Sequence, residues 1–157
     1  MASFQKAVRL GARDGRVLLG GHVLKKGAFE HGHFVEPTII DQLPKTFPLF
    51  QEEYFAPLLA VAPVVSLGEA IALANGSNYG LTAGIFTKVE EEREQFFDAV
   101  EAGVASCNRR DGATTGAWPG GPFFGGWKGA GATGKNALGP HYVAQFMREQ
   151  SRTVCAG

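Results

Sequence analysis

Apolar positions along this chain fall into short continuous runs separated by stretches with helical spacing, which reads as strands joined by helices. "APLLAVAPVVS", 56–66, is apolar with β-branched valines, as expected of a strand buried on both faces. Ser66 with Glu69 then forms a capping box, Ala70, Ile71, Leu73 and Ala74 supply an apolar stripe, and Gly76 stands at the stop. "GLTAGIFT", 80–87, is the next predicted strand. Thr87 with Glu90 makes a second capping box, opening a helix over "KVEEEREQFFDAV". Val89, Phe96, Phe97 and Val100 form its buried stripe and the Glu/Arg run its wet face. Gly103 ends that helix, and "GVASCN" is a third strand.

Strand, helix, strand, helix, strand predicts an α/β fold with a parallel βαβαβ sheet. Ahead of it lie two more strand candidates, "RVLLGG" (16–21) and "HFVEPTIID" (33–41), and a short helix over the first ten or so residues. The closing "QSRTVCAG" reads as a strand with no partner in that sheet. Ligands of open parallel sheets sit beyond the carboxyl ends of the strands. A glycine-rich segment starts there, directly after the third strand at Asn108, so a substrate loop is expected in it.

With 157 residues the chain can form one domain burying roughly 70% of its unfolded surface. Lys plus Arg and Asp plus Glu are 15 each, so no net charge draws nucleic acid or an anionic membrane. No apolar run reaches membrane-spanning length, and "MASFQKAVRL" lacks the apolar core of a signal peptide, so a cytoplasmic location is expected. Cys107 and Cys155 make neither a disulfide framework nor a zinc site. His31 and His33, with Glu30 beside them and His22 upstream, could share a strand face, but no further spaced ligand follows, so no metal site is expected.

Of 22 glycines many lie between Gly112 and Gly139, among Pro119, Pro122, Trp118, Phe123, Phe124 and Trp127; the aromatics argue for an ordered, functional loop. Gly129, Gly134 and Lys135 satisfy the spacing of a phosphate-binding loop. Three requirements fail: Asn136 stands where Ser or Thr should hold magnesium, Gly139-Pro140 stops any following helix, and no buried strand precedes Gly129.

Taken in order, "RVLLGG", "FVEPTII", "FQEEYFAPLLAV", "EAIALANGSNYGLTAGIFT", "VEAGVASCN" and "PFFGGWKGAGATG" resemble the C-terminal half of the catalytic region of NAD(P)-dependent aldehyde dehydrogenases. "NRRDGATTG" and "GPHYVAQFMREQSRTV" look most like the 1-pyrroline-5-carboxylate branch, which oxidises glutamate semialdehyde. The resemblance implies that Glu53, second Glu of the E-E-x-F-G-P motif, accepts hydrogen bonds from the nicotinamide ribose hydroxyls, one for each carboxylate oxygen. It implies that Phe55 packs at the nicotinamide end, that the Gly112 and Ala113 amides hold the substrate carboxylate, and that Phe124 walls the aldehyde pocket. On the residues alone, Glu53 also reads as a helix-start or surface carboxylate, Phe55 and Phe124 as core aromatics, and Gly112 as a turn glycine. Asn75, Tyr79 and Asn108 match the pattern too, with loop and strand-end packing as sufficient explanation.

The same resemblance implies that the nucleophilic Cys, the Glu base, the oxyanion Asn and the cofactor-binding domain lie N-terminal to the matched region, so no catalytic residue is assigned in this chain. Cys107 reads as a small buried hydrophobe at a strand end. The family's Gln-Pro-Phe-Gly-Gly is here Pro122-Phe123-Phe124-Gly125-Gly126, and Ala130 replaces the Ser of its Ser-Gly. Residues 1–146 are thus expected to be a partial catalytic domain and 147–157 an oligomerisation segment. NAD or NADP would serve the parent family, with none held by this chain alone. A homo-oligomer or a full-length or complementary aldehyde dehydrogenase chain is the expected partner, since a free terminal strand invites strand addition. The Met1 start suggests a free-standing short product. Two readings follow: part of an aldehyde-oxidising enzyme, or a non-catalytic oligomerisation or partner-binding protein derived from one.

Overall fold

The structure, a computed structural model, describes residues 1–110, 125–131 and 139–156. The chain divides into two compact units, Met1–Ser77 and Asn78–Gly157. In the first, helix α1 (Ala2–Asp14) buries Phe4, Ala7 and Gly11, whose spacing puts them on one face. The sheet beneath has the order β1 (Arg16–Leu19), β4 (Thr38–Asp41), β5 (Leu58–Ala60), with β1 antiparallel and β5 parallel to β4. Strands β2 (Val23–Leu24) and β3 (Phe34–Val35) form a separate antiparallel pair. Ala7, Ile40, Leu43, Phe47 and Leu49 are the buried core, with Tyr54, Leu58 and Ala60 packed against it.

The strand expected over 33–41 is therefore two, broken at Glu36-Pro37, where proline has no N–H to give a ladder. Thr38 sits just past the break and is 2% exposed. Its hydroxyl donates to the Glu36 carbonyl and accepts from the Gly21 amide, both at 2.9 Å, so the buried oxygen is fully used. The strand expected over 56–66 is regular only at 58–60, and it is not buried on both faces: Leu59 is 57% and Val65 92% exposed. Helix α2 (Leu67–Asn75) follows. The Ser66 hydroxyl accepts from the Glu69 amide at 3.2 Å, as the capping box requires. The Glu69 carboxylate reaches one residue further back than that motif predicts, accepting from Val65 N–H at 2.8 Å, and it also pairs with Lys45. Lys45 first and the Val65 amide second hold the Glu69 carboxyl below its ordinary range. Of the expected stripe on α2, only Ile71 is buried.

The second unit contains β6 (Tyr79–Gly80), β7 (Thr82–Ile85), α3 (Glu90–Ala99), β8 (Val104–Cys107) and β9 (Trp127–Lys128). Strands β7 and β8 run parallel, Thr82 opposite Val104 through Ile85 opposite Cys107, with α3 as the crossover. Of the expected parallel pairings β7–β8 occurs, and β4–β5 is a parallel pair the pattern did not predict; β5 and β7 belong to different sheets, so a single βαβαβ sheet is not seen. The second capping box is displaced as well. Val89 is the N-cap of α3, while the Thr87 hydroxyl accepts from Val89 N–H at 3.0 Å and bonds to Glu92. Phe96 and Val100 are buried as expected, whereas Val89 and Phe97 are exposed. Residues 147–156 are exposed and form no strand, so the terminal strand is not seen. Among the described residues no helix is long and apolar enough to cross a membrane.

Candidate functional site

Glu53 and Phe55 lie in the segment that carries the chain from a 3-10 turn at Pro48–Phe50 into β5. Between them, Tyr54 packs on the core cluster, and its hydroxyl donates to Glu52 Oε2 at 2.8 Å. Glu53 and Phe55, on either side of the half-buried Tyr54, are both exposed, Phe55 by 93%. That exposure removes the core-aromatic reading of Phe55. Its backbone φ is 45°, a left-handed conformation costing an L-residue about 1–2 kcal/mol. Strain of this kind clusters at ligand-binding segments. The next residue, Gly in the E-E-x-F-G-P pattern, is Ala56 here.

Burial first, and the bond to Glu52 second, push the Tyr54 phenol from 10.0 up to about 12. A raised folded-state value favours the neutral phenol, so this contribution is intact below pH 10 and is lost as pH climbs from 10 towards about 12. Tyr54→Phe should abolish a late phenolate absorbance step and flatten the alkaline loss of stability in that window. An alkaline stability profile unchanged by the substitution would contradict the anchoring role.

Gly112, Ala113 and Phe124 lie outside the described residues. The glycine-rich stretch is described again from Gly125. Strand β9 pairs antiparallel with β6, and a turn follows in which Ala130 N–H reaches the Trp127 carbonyl at 3.1 Å. The Gly129 amide is committed to the Asn78 carbonyl at 2.9 Å, so it is not aimed at an anion, and the two-residue β9 with its half-exposed Trp127 is no buried strand. Gly134 and Lys135 lie outside the described residues.

Asn108, read above as a strand-end residue, ties the ends of β7 and β8 together. Its side chain brackets Thr87, accepting from the amide at 3.0 Å and donating to the carbonyl at 2.8 Å, while its own amide meets the Ile85 carbonyl at 2.8 Å. Cys107 is half-buried rather than buried and helps line a cavity of about 340 Å³ with Thr87, Val89, Glu90 and Arg93. The fold brings Glu90 near Cys107, which sequence adjacency missed. Glu90 is already held by Arg93 at 2.8 Å, and no histidine lines the cavity, so the set lacks the nucleophile–base arrangement. His22 Nδ1 lies 2.8 Å from Glu36 Oε2, and among the described residues no three His, Cys, Asp or Glu side chains converge as metal ligands would.

The family model "Aldehyde dehydrogenase family" matches residues 1–152. A 1-pyrroline-5-carboxylate dehydrogenase of Bacillus licheniformis is 37% identical over 157 residues, covering 98% of this chain and 28% of its own. A 2,5-dioxopentanoate dehydrogenase of Saccharolobus solfataricus is 35% identical over 136 residues, 87% of this chain and 27% of its own. Among solved structures, 1-pyrroline-5-carboxylate dehydrogenase from Thermus with bound NAD overlays 92% of this chain with 27% of its own, at TM-score 0.81 and 33% identity. The chain spans a little over a quarter of the length of these relatives. By sequence along nearly its whole length, and by fold, the chain belongs to the aldehyde dehydrogenase family.

Proposed function

We propose that this chain is part of an aldehyde dehydrogenase of the 1-pyrroline-5-carboxylate, or glutamate semialdehyde, oxidising type. It supplies the ribose-binding carboxylate and the substrate loop to a site whose nucleophile, base and dinucleotide-binding domain come from polypeptide outside these 157 residues. The outward display of Glu53 and Phe55 around an anchored Tyr54 carries this reading. A carboxylate has two acceptor oxygens for a vicinal diol, and an exposed aromatic offers a face for the nicotinamide end, so the donor set fits that part of NAD or NADP. When bound, the nucleotide supplies the hydride acceptor. Gly112 and Ala113 would hold the substrate carboxylate through backbone amides, and Phe124 would wall the aldehyde pocket. Alone, the chain holds no nucleotide and turns over no aldehyde.

The test measures NAD(P)H formed from glutamate semialdehyde, first with the purified chain and then after adding the N-terminal part of the Bacillus licheniformis relative, cut before the matched region. No turnover alone, turnover after addition, and indifference to Cys107→Ala are the expected results. Glu53→Gln should then raise KM for the nucleotide by about tenfold, the scale of one lost charge-assisted hydrogen bond. Turnover by the chain alone that disappears with Cys107→Ala would sink the reading.

The alternative, a non-catalytic oligomerisation or partner-binding protein derived from the family, is favoured by the tail, where Met147 is 69% and Val154 94% exposed. It predicts association without turnover in any mixture.

A further inference from the structure

Helix α2 ends on the pair Asn75-Gly76, and none of the other three asparagines, Asn78, Asn108 and Asn136, precedes a glycine. In such a pair the backbone nitrogen of the second residue can attack the asparagine Cγ, and glycine leaves that nitrogen unscreened because it has no Cβ. A bond forms between Gly76 N and Asn75 Cγ, the Cγ–Nδ2 bond breaks, and the amide proton departs with the side-chain nitrogen as ammonia. Water then opens the resulting succinimide ring. Attack at Cγ leaves aspartate; attack at the backbone carbonyl leaves isoaspartate, with the chain running through the β-carbon.

The fold restrains this reaction in two ways. The Gly76 N–H, which must give up its proton, is shared between the Ala72 carbonyl at 3.0 Å and the Leu73 carbonyl at 3.2 Å. Ring closure also needs the Asn75 Cβ and the Gly76 nitrogen on the same side of the Cα–C bond, a ψ that a helical residue does not have, and Asn75 is the last residue of α2. Opening of the last turn removes both restraints. That turn is lightly seated. Of the nine residues of α2 only Ile71 is buried. A cavity of about 300 Å³, lined by Ala70, Leu73 and Ala74 on the helix and by Phe50 and Val64, leaves its second half thinly packed. Elements with few buried apolar contacts open before the rest of a domain.

We propose that Asn75-Gly76 is a deamidation site latched by the last turn of α2, so that openings of that turn convert Asn75 to aspartate and isoaspartate. The change does not reverse when the turn closes. Isoaspartate adds a methylene to the backbone, and either product puts a carboxylate at the helix C-terminus, where the dipole is already negative. The product therefore favours the open turn and accumulates as a record of its opening.

For the test, the full 157-residue chain is held at mildly alkaline pH, folded or in denaturant. Mass spectrometry follows the peptide spanning Asn75, and enzymatic methylation counts isoaspartate. The folded chain should react at least about tenfold more slowly than the denatured one, the factor set by a local opening equilibrium. Ser66→Ala removes the hydroxyl that caps α2 and leaves Asn75-Gly76 untouched. It should speed the folded reaction about fivefold, the scale of one lost helix cap, without changing the denatured rate. Gly76→Ala, whose Cβ meets nothing nearer than 3.4 Å, should suppress the reaction in both states. Far-UV circular dichroism checks that both variants remain folded. Equal rates in the folded and denatured chain overturn the latch, and so does a folded Ser66→Ala rate no higher than that of the natural chain. Faster conversion of Asn78, Asn108 or Asn136 than of Asn75 in the denatured chain overturns the assignment of the site.

Discussion

Gly103→Ala should destabilise the second unit by about 2 kcal/mol. The glycine opens β8, its amide donating to the Gly80 carbonyl at 2.9 Å, and a Cβ there would overlap the Gly125 carbonyl oxygen and come within 2.6 Å of the Gly125 carbonyl carbon. Gly80 is similarly confined, its Cβ position overlapping the Glu101 carbonyl and lying 3.2 Å from Trp127 Cβ. Backbone meets backbone at this junction, so no flexible side chain can give way. Removing a glycine restricts the unfolded chain, a gain of about 0.4–1 kcal/mol, while overpacking against backbone costs about 1–3 kcal/mol or more, and the cost wins. Gly76→Ala is the control. Its Cβ would lie 3.4 Å from the carbonyls of Ala72 and Leu73, at an ordinary helical φ of −70°, so that variant should be as stable as the parent or slightly more so. Trp127, in β9 of the second unit, makes tryptophan fluorescence during denaturant unfolding a report on that unit. A Gly103→Ala midpoint equal to the parent's would mean that the Gly125–Gly126 turn does not pack on β8. Those two glycines directly follow Phe124, the residue proposed to wall the aldehyde pocket.

Sequence pattern succeeded where a local chemical rule acts alone. Ser66 caps α2 because its hydroxyl and the Glu69 amide are fixed by three residues of spacing. The same rule failed at Thr87, because Asn108 holds the Thr87 backbone from across the sheet and the helix begins only after Val89. That contact spans 21 residues, which no local window contains. Pro37 could have been read as a break in 33–41, since a ladder cannot use its nitrogen. The over-long strand at 56–66 has a different cause: apolar residues announce that a face will be covered, not that this chain covers it. Glu53 and Phe55 became visible only through the resemblance. A Glu-Tyr-Phe run has no periodic signature, and the half-burial of Tyr54 between its exposed neighbours depends on a core assembled from α1, β4 and the 43–50 segment.

The two faces of the first sheet differ enough for one pair of substitutions to tell them apart. Ile40 is 0% exposed at the centre of β4, with its Cδ1 lodged where Gly11 of α1 has no side chain. Ile40→Ala removes buried methyl and methylene groups and leaves a cavity between helix and strand, a loss of about 2–5 kcal/mol. Against a total stability of about 5–15 kcal/mol for a domain, that leaves the first unit marginal. Leu59→Ala, on the exposed face of the same sheet, gives up a side chain already 57% in water and should cost well under half as much, about 1 kcal/mol. Thermal unfolding followed by circular dichroism would rank them, and equal losses would mean that Leu59 is already covered in the free chain.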